Sequence, residues 1–360
     1  MKLITDRSLE VTTLDRARLA RAKRSFVTRR LDAGEMCTLL RGDLAPEPGD
    51  LVLARVVRLR QHQKLETVHG RRALMFPGDE IVVAYGNRYA PDQFEALVPG
   101  NLGPAHLVAS GGIASRVREK HDDVRAATEI EPLGLIGDAT AQRVNVRRGA
   151  LELRPAHTVT PTVIAVVGAA MNAGKTTMAG SLVHGLARAG LRVGATKVTG
   201  TGSGCDVWRL QDSGAERVLD FTDAGHASTY LLDTAEVVRT ATGLVGALAA
   251  CDVVVVEVAD GVFQRETAEL LGAPEFARLV DGFLFACGDA LAADAGVRWM
   301  REHGLPLVAL GGRITQSPLA MREARERAGV PILGTSDLVA PDGALFVLSS
   351  ADSGRRVAAG

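Results

Sequence analysis

Residues Val163–Thr177 read Val-Ile-Ala-Val-Val-Gly-Ala-Ala-Met-Asn-Ala-Gly-Lys-Thr-Thr. The unbroken apolar run at the start predicts a strand buried on both faces. After the loop, Met178, Leu182, Val183 and Leu186 recur at helical spacing. A strand, a loop of glycine and small residues, and a helix in that order make an anion site. Backbone N–H groups turn inward, the helix N-terminus adds partial positive charge, and a lysine reaches the outer phosphates. Gly168, Asn172, Ala173, Gly174, Lys175, Thr176 and Thr177 are the candidate nucleotide-binding residues, and the Thr176 hydroxyl is a candidate ligand for Mg²⁺. Gly168 lies six positions before Gly174, one more than in the common phosphate loop.

Working outward, Arg192–Val198, Asp252–Val258, Gly282–Cys287 and Pro306–Leu310 read as further buried strands. Asp233-Thr-Ala-Glu236 is a capping box that opens a helix between two of them. Strands alternating with helices predict an α/β domain with a parallel sheet over 162–360. Open parallel sheets bind ligands at the C-terminal ends of their strands. Glu257 stands at such an end, and Asp206 follows the strand that carries Lys197. With Thr176 they are the candidate metal ligands, since Mg²⁺ on a nucleotide takes one or two protein oxygens besides phosphate and water.

Residues 1–153 are less regular and read as a smaller α+β or barrel-like domain. Leu51–Leu59 and Ile81–Tyr85, entered through Pro-Gly turns, predict strands. Helices are expected over Thr13–Leu31 and Ile113–Ala127, and strands near Leu133–Ile136 and Arg143–Val146. The proline-bounded stretch 154–161 is the expected linker. Residues 1–30 hold nine Lys and Arg against three Asp and Glu, but without the interleaved aromatics of a nucleic-acid surface. Lys plus Arg and Asp plus Glu are 42 each over the whole chain, so nothing in the overall charge attracts nucleic acid or an acidic membrane. The four scattered cysteines fit reduced thiols, and Asp252 and Glu257 interrupt the longest apolar stretch. A cytoplasmic protein without nucleic-acid or membrane partners is expected.

The motifs of the second half resemble the dethiobiotin synthetase-like branch of P-loop proteins. That branch includes dethiobiotin synthetase, cobyrinic acid amide synthases and the molybdopterin-guanine dinucleotide accessory protein. The extended spacing Gly168…Gly174-Lys175-Thr176 is similar to its phosphate loop. Thr196-Lys197-Val198-Thr199-Gly200 followed by Asp206 resembles its second motif, and Asp252-Val-Val-Val-Val-Glu257-Val-Ala-Asp260-Gly261 its third. The resemblance implies that Lys197 faces substrate while Asp206 and Glu257 face Mg²⁺. Phe221–Ser228 sits where the branch has a substrate loop, which makes Asp223, His226 and Ser228 candidates. Departures are the residues Met171 and Asn172 in the loop, Asp260 after the glutamate, and Leu310-Gly-Gly-Arg313 where relatives have an asparagine at the nucleobase. Relatives are often dimers, so a homodimer is a further expectation.

Phosphoryl transfer asks mainly for positioning and charge neutralisation. Lys175 and Lys197 are the candidate catalytic residues. Lys197, Thr199, Ser203, Asp223, His226, Ser228 and Asp260 are the candidate substrate contacts, with Thr199 and Ser203 equally able to cap the following helix. The expected activity is Mg²⁺- and ATP-dependent activation of a small acidic metabolite, as a ligase or a kinase, with GTP left open as the nucleotide. A nucleotide-gated accessory protein acting on a protein partner is the alternative.

Overall fold

The computed structural model describes residues 9–153 and 161–358, with side chains as far as Ser353. The expected linker therefore lies, apart from Pro161, outside the described residues. The chain divides into two compact units. The first runs to Leu151 and takes in two segments of the second half, Thr201–Gly204 and Thr222–Tyr230. The second comprises Glu152–Gly200, Cys205–Phe221 and Leu231 onward.

The first unit is β-rich. Its frame is β1 (Leu51–Arg58), β2 (Glu80–Tyr85), β3 (Ala105–Ala109), β4 (Ile113–Lys120) and β5 (Thr128–Gly137). Pairing runs β5 to β1, β1 to β2, β2 to β4, β4 to β3 and β3 back to β5, so these five strands close into a barrel. Only the β2–β4 contact is parallel. Val52, Ala54, Ile81, Val83, Tyr85, Leu107, Ala114 and Leu135 fill one buried cluster. They are inward positions of alternating strands, as in any small barrel whose interior is filled by side chains.

Two expected helices are absent from this unit as read. Ile113–Ala127 is not helical: Ile113–Lys120 is β4, because Ile113 and Ala114 pair with Ala84 and Tyr85 and the same strand also pairs with β3 and with Phe94–Leu97. Of Thr13–Leu31 only α1 (Arg16–Arg21) is α-helical, since Lys23 and Arg24 pair with Ile81 and Val82 and Phe26–Thr28 is a 3₁₀ turn. Arg143–Val146 forms isolated bridges rather than a strand, and Val146 opens a further 3₁₀ turn. Part of the basic surplus of this region is paired within the unit, Arg18 with Glu80, Lys23 with Asp79, and Arg29 with Asp223.

The second unit carries β6 (Thr162–Gly168), β7 (Val193–Lys197), β8 (Arg217–Asp220), β9 (Val253–Glu257), β10 (Gly282–Ala286) and β11 (Leu307–Gly311). All six are parallel, in the order β8-β7-β9-β6-β10-β11. β6 is central and both its neighbours come from later in the chain. The helix after β6, α2 (Lys175–Arg188), buries Met178, Leu182, Val183 and Leu186 against Val166, Val193 and Val255. The helices Thr335–Val339 and Pro341–Ala358 complete that core through Leu338, Ala344 and Val347. Among the described residues no helix is long and apolar enough to cross a membrane.

Candidate functional site

The C-terminal ends of β6, β7 and β9 meet the N-terminus of α2 around a cavity of about 370 Å³. That volume is within the roughly 300–1,000 Å³ of small-molecule sites. The loop between β6 and α2 is shaped by close backbone approach. A Cβ on Gly168 would stand 2.7 Å from the Ala286 carbonyl oxygen. Gly174 has φ +106°, and a Cβ there would stand 2.9 Å from Gly312 Cα. Asn172 also occupies the left-handed region, at φ +62°, which asparagine tolerates better than most residues.

Lys175 is buried and its ammonium donates to the Ala170 carbonyl oxygen at 2.9 Å, folding back over its own loop. Burial lowers its pKa, against the opposing pull of the Glu257 and Asp260 carboxylates. The Thr176 hydroxyl donates to Glu257 Oε1 at 2.8 Å. Lys197 and Glu257 are register partners on the adjacent parallel strands β7 and β9, which sets their side chains next to each other. The Lys197 ammonium is hydrogen-bonded to Asp206, in the first turn of α3 (Gly204–Asp212), and lies 3.8 Å from Glu257 Oε1. Burial works against charge on Lys197, but Asp206 and Glu257 outweigh it and hold its pKa above the ordinary lysine value. Asp206 is likewise held below the usual carboxylate range, because Lys197 overcomes the effect of burial. For Glu257 burial wins and its pKa is raised.

The donor set fits Mg²⁺. Glu257 is 2% exposed, and its Oε2 has no hydrogen-bond partner among the described residues. An unsatisfied buried acceptor costs on the order of 1–3 kcal/mol, and more when charged. A hard cation held by Glu257, Asp206 and the Thr176 hydroxyl removes that cost with oxygen ligands alone. Among the described residues no group of three or more His, Cys, Asp or Glu is arranged to hold a metal. The remaining ligands must then come from phosphate and water, as is usual for Mg²⁺. The cavity wall carries three cations, Lys175, Lys197 and Arg313, and three carboxylates, Asp206, Glu257 and Asp260. It is formally neutral until a divalent cation enters.

Met171, Asn172, Gly174, Lys175, Thr176 and Thr177 all line the cavity, together with Lys197, Asp206, Glu257 and Asp260. Thr199 does not; it is buried, and its hydroxyl donates to the Ala259 carbonyl oxygen. That oxygen also accepts from the Thr267 hydroxyl at 2.6 Å, while the Thr267 oxygen accepts from the Asp260 N–H at 3.1 Å. These bonds fix the segment that presents Asp260. Ser203, Asp223, His226 and Ser228 belong to the first unit, and none of them lines the cavity. Asp223 accepts from Arg29 at 2.7 Å and pairs with Arg30 at 3.4 Å. Ser203 stands 3.4 Å from Glu66, whose carboxylate also accepts the Gly204 N–H. Ser228 accepts from the Tyr230 N–H.

The profile of the family described as molybdopterin guanine dinucleotide synthesis protein B matches residues 163–265. The match falls on the parallel-sheet unit and begins at β6, the strand that enters the phosphate loop. The matched stretch is under a third of the chain and holds the phosphate loop, Lys197, Asp206 and Glu257. No curated protein matches. Solved structures similar to the chain include a signal recognition particle receptor FtsY from Elizabethkingia anophelis. It is 19% identical, with 58% of this chain and 75% of that one covered, at a TM-score of 0.35. An ADP complex of a nucleotide-binding protein from Archaeoglobus fulgidus is 14% identical, with 54% and 87% covered, at 0.37. The septum site-determining protein MinD from Pyrococcus horikoshii, with Mg-ADP, is 15% identical, with 55% and 98% covered, at 0.35.

Proposed function

We propose that the chain is a Mg²⁺-dependent enzyme that transfers the terminal phosphoryl group of ATP, or of GTP, to a small acidic metabolite. The observation that carries this reading is Lys197, a half-buried lysine paired with Asp206 and beside Glu257 on the wall of the phosphate-loop cavity, where the two carboxylates favour its charged form. A nucleotide on the loop needs a charge-neutralising contact where its terminal phosphate meets an acceptor, and a fixed ammonium supplies it.

In this reading the loop N–H groups and Lys175 hold the phosphates, while Thr176, Asp206 and Glu257 hold Mg²⁺. When bound, Mg²⁺ neutralises charge on the outer phosphates. An acceptor oxygen bonds to the γ-phosphorus as the bond to the β-phosphate oxygen breaks, and the nucleoside diphosphate leaves. Asp206 and Glu257 would hold the cation, and the Lys197 ammonium beside them would be the group that meets the acceptor carboxylate or the transferred group. Asp260, also on the cavity wall, is the remaining carboxylate available to an acceptor. A ligase acting through an acyl phosphate and a kinase share this step. The likeness to the dethiobiotin synthetase-like branch agrees with it through Lys197 and the two carboxylates.

The family match at 163–265 favours a second reading, a nucleotide-gated accessory protein in cofactor maturation. ADP and GDP release from Mg-ATP and Mg-GTP, with and without a protein-free extract of small metabolites, separates the two. The enzyme reading expects stimulation by the extract that Lys197→Ala removes while nucleotide still binds. Turnover indifferent to the extract but raised by a protein fraction contradicts it and supports the accessory reading.

A further inference from the structure

The nucleotide site is asymmetric about its central strand. The two carboxylate candidates for the metal and Lys197 lie on one side of β6, Glu257 and Lys197 ending β9 and β7 and Asp206 following β7. Arg313 follows β11, on the other side, beyond β10. Its side chain lines the same cavity. Outer phosphates carry the metal, so the phosphate tail points toward β9 and β7 and the inner phosphates lie toward β10 and β11.

The turn that bears Arg313 is pinned to the phosphate loop. The Arg313 N–H donates to the Ala173 carbonyl oxygen at 2.9 Å. Gly312 has φ +85°, and a Cβ there would stand 2.3 Å from that same oxygen and 3.1 Å from the Cys287 nitrogen. The Ile314 N–H donates to the Cys287 carbonyl oxygen, and the Cys287 N–H to that of Gly311, each at 3.0 Å. The backbone of Arg313 is therefore fixed against the residues that cradle phosphate, while its exposed guanidinium has no hydrogen bond or ion pair among the described residues. Lys175 and Lys197, by contrast, are both already engaged.

We infer that Arg313 is a nucleotide-binding residue that contacts the inner phosphates, those shared by nucleoside di- and triphosphates. The inference rests on the nucleotide reading of the cavity. A guanidinium fork matches phosphate oxygens, and because the shared phosphates are its target, its contribution is the same for ADP, ATP, GDP and GTP. It acts on binding rather than on the transfer step, since the interaction is equally present before and during transfer.

The test is calorimetric titration of the full-length chain with Mg-ADP, Mg-GDP and non-hydrolysable Mg-ATP and Mg-GTP analogues, in the wild type, Arg313→Ala and Arg313→Gln. The expected result is a loss of affinity of roughly tenfold or more, equal for all ligands that the wild type binds, with the Mg²⁺ midpoint unchanged. Arg313→Gln keeps much of the side-chain volume and is the variant to read where alanine lowers the melting temperature. Unchanged affinities overturn the inference. So does a loss confined to triphosphates, which would put the guanidinium at the γ-phosphate, and so does a loss confined to one base, which would make it a base reader. A wild-type chain that binds none of these ligands overturns the underlying nucleotide reading instead.

Discussion

Thr176 donates its hydroxyl to Glu257 Oε1 at 2.8 Å, while the other carboxylate oxygen is buried with no hydrogen-bond partner among the described residues. The pair joins the first turn of α2 to the end of β9, so a cation bound there ties the phosphate loop to the sheet. Glu257→Gln keeps an oxygen for the Thr176 hydroxyl and removes the charge. The variant is expected to stay folded, melting within a few degrees of wild type, and to lose the extra thermal stabilisation that Mg²⁺ adds to nucleotide. Undiminished Mg²⁺-dependent stabilisation in Glu257→Gln would move the metal elsewhere.

Lys197 neutralises two carboxylates in a buried register. Removing it leaves Asp206 and Glu257 with only the weaker influence of Arg209 and Lys175, and breaking a buried ion pair from one side costs up to about 3–5 kcal/mol. Lys197→Ala is therefore expected to lower the stability of the second unit by that order in urea unfolding. Adding Mg²⁺ should restore part of it, because the cation substitutes for the lost ammonium. A variant as stable as wild type without Mg²⁺ would mean the carboxylates are already compensated.

Gly312 is required by contact as much as by conformation. Its φ is +85°, and a methyl group at this position would stand 2.3 Å from the Ala173 carbonyl oxygen, so Gly312→Ala must push the turn off the phosphate loop. Backbone strain of this kind costs about 1–3 kcal/mol. The expected signature is weaker binding of every nucleotide together with a lower melting temperature. Normal nucleotide affinity in Gly312→Ala would show that the turn and the loop do not depend on each other.

The first unit has its own pH response. His62 donates from Nε2 to the Val108 carbonyl oxygen at 2.8 Å. Burial, helped by the nearby Arg88 guanidinium and opposed by that hydrogen bond, pushes its pKa down to about 4. The folded value lies below the ordinary one near 6.5, so the unfolded chain takes up the proton first as pH falls. The stability that neutral His62 contributes is complete above about pH 6.5 and is lost as pH falls toward 4, with a slope of at most about 1.4 kcal/mol per pH unit. Between pH 6.5 and 5, His62→Gln should flatten the urea-unfolding stability of this unit relative to wild type. Parallel curves for the two proteins would refute the assignment.

What the sequence made legible follows from how local each signal is. Val163–Thr177 declares a strand, an anion loop and a helix within fifteen residues, and β6 and α2 stand where it predicts. Asp233 caps α4 (Thr234–Ala247) by accepting the Glu236 N–H, one half of the expected capping box. Ile113–Lys120 misleads because Arg116, Arg118, Glu119 and Lys120 are good helix formers, while its strand state is imposed by partners such as Ala84 and Phe94, distant in the chain. Asp223 and Ser203 were legible as polar residues near motifs. Their partners Arg29 and Glu66 come from the other end of the sequence, and no spacing rule reveals them. Arg313 is visible in the sequence only as a departure from a family pattern, since its relation to Ala173 depends on the turn at Gly312.

The most direct measurement is calorimetric titration of Mg-ATP and Mg-GTP into wild type and Lys175→Ala. Lys175→Ala removes the buried ammonium that closes the loop, so a nucleotide site here predicts one site per chain in the wild type, dependent on Mg²⁺, and binding weakened at least about tenfold in the variant. Equal affinity in the two proteins, or no binding by the wild type at any Mg²⁺ concentration, would contradict the account.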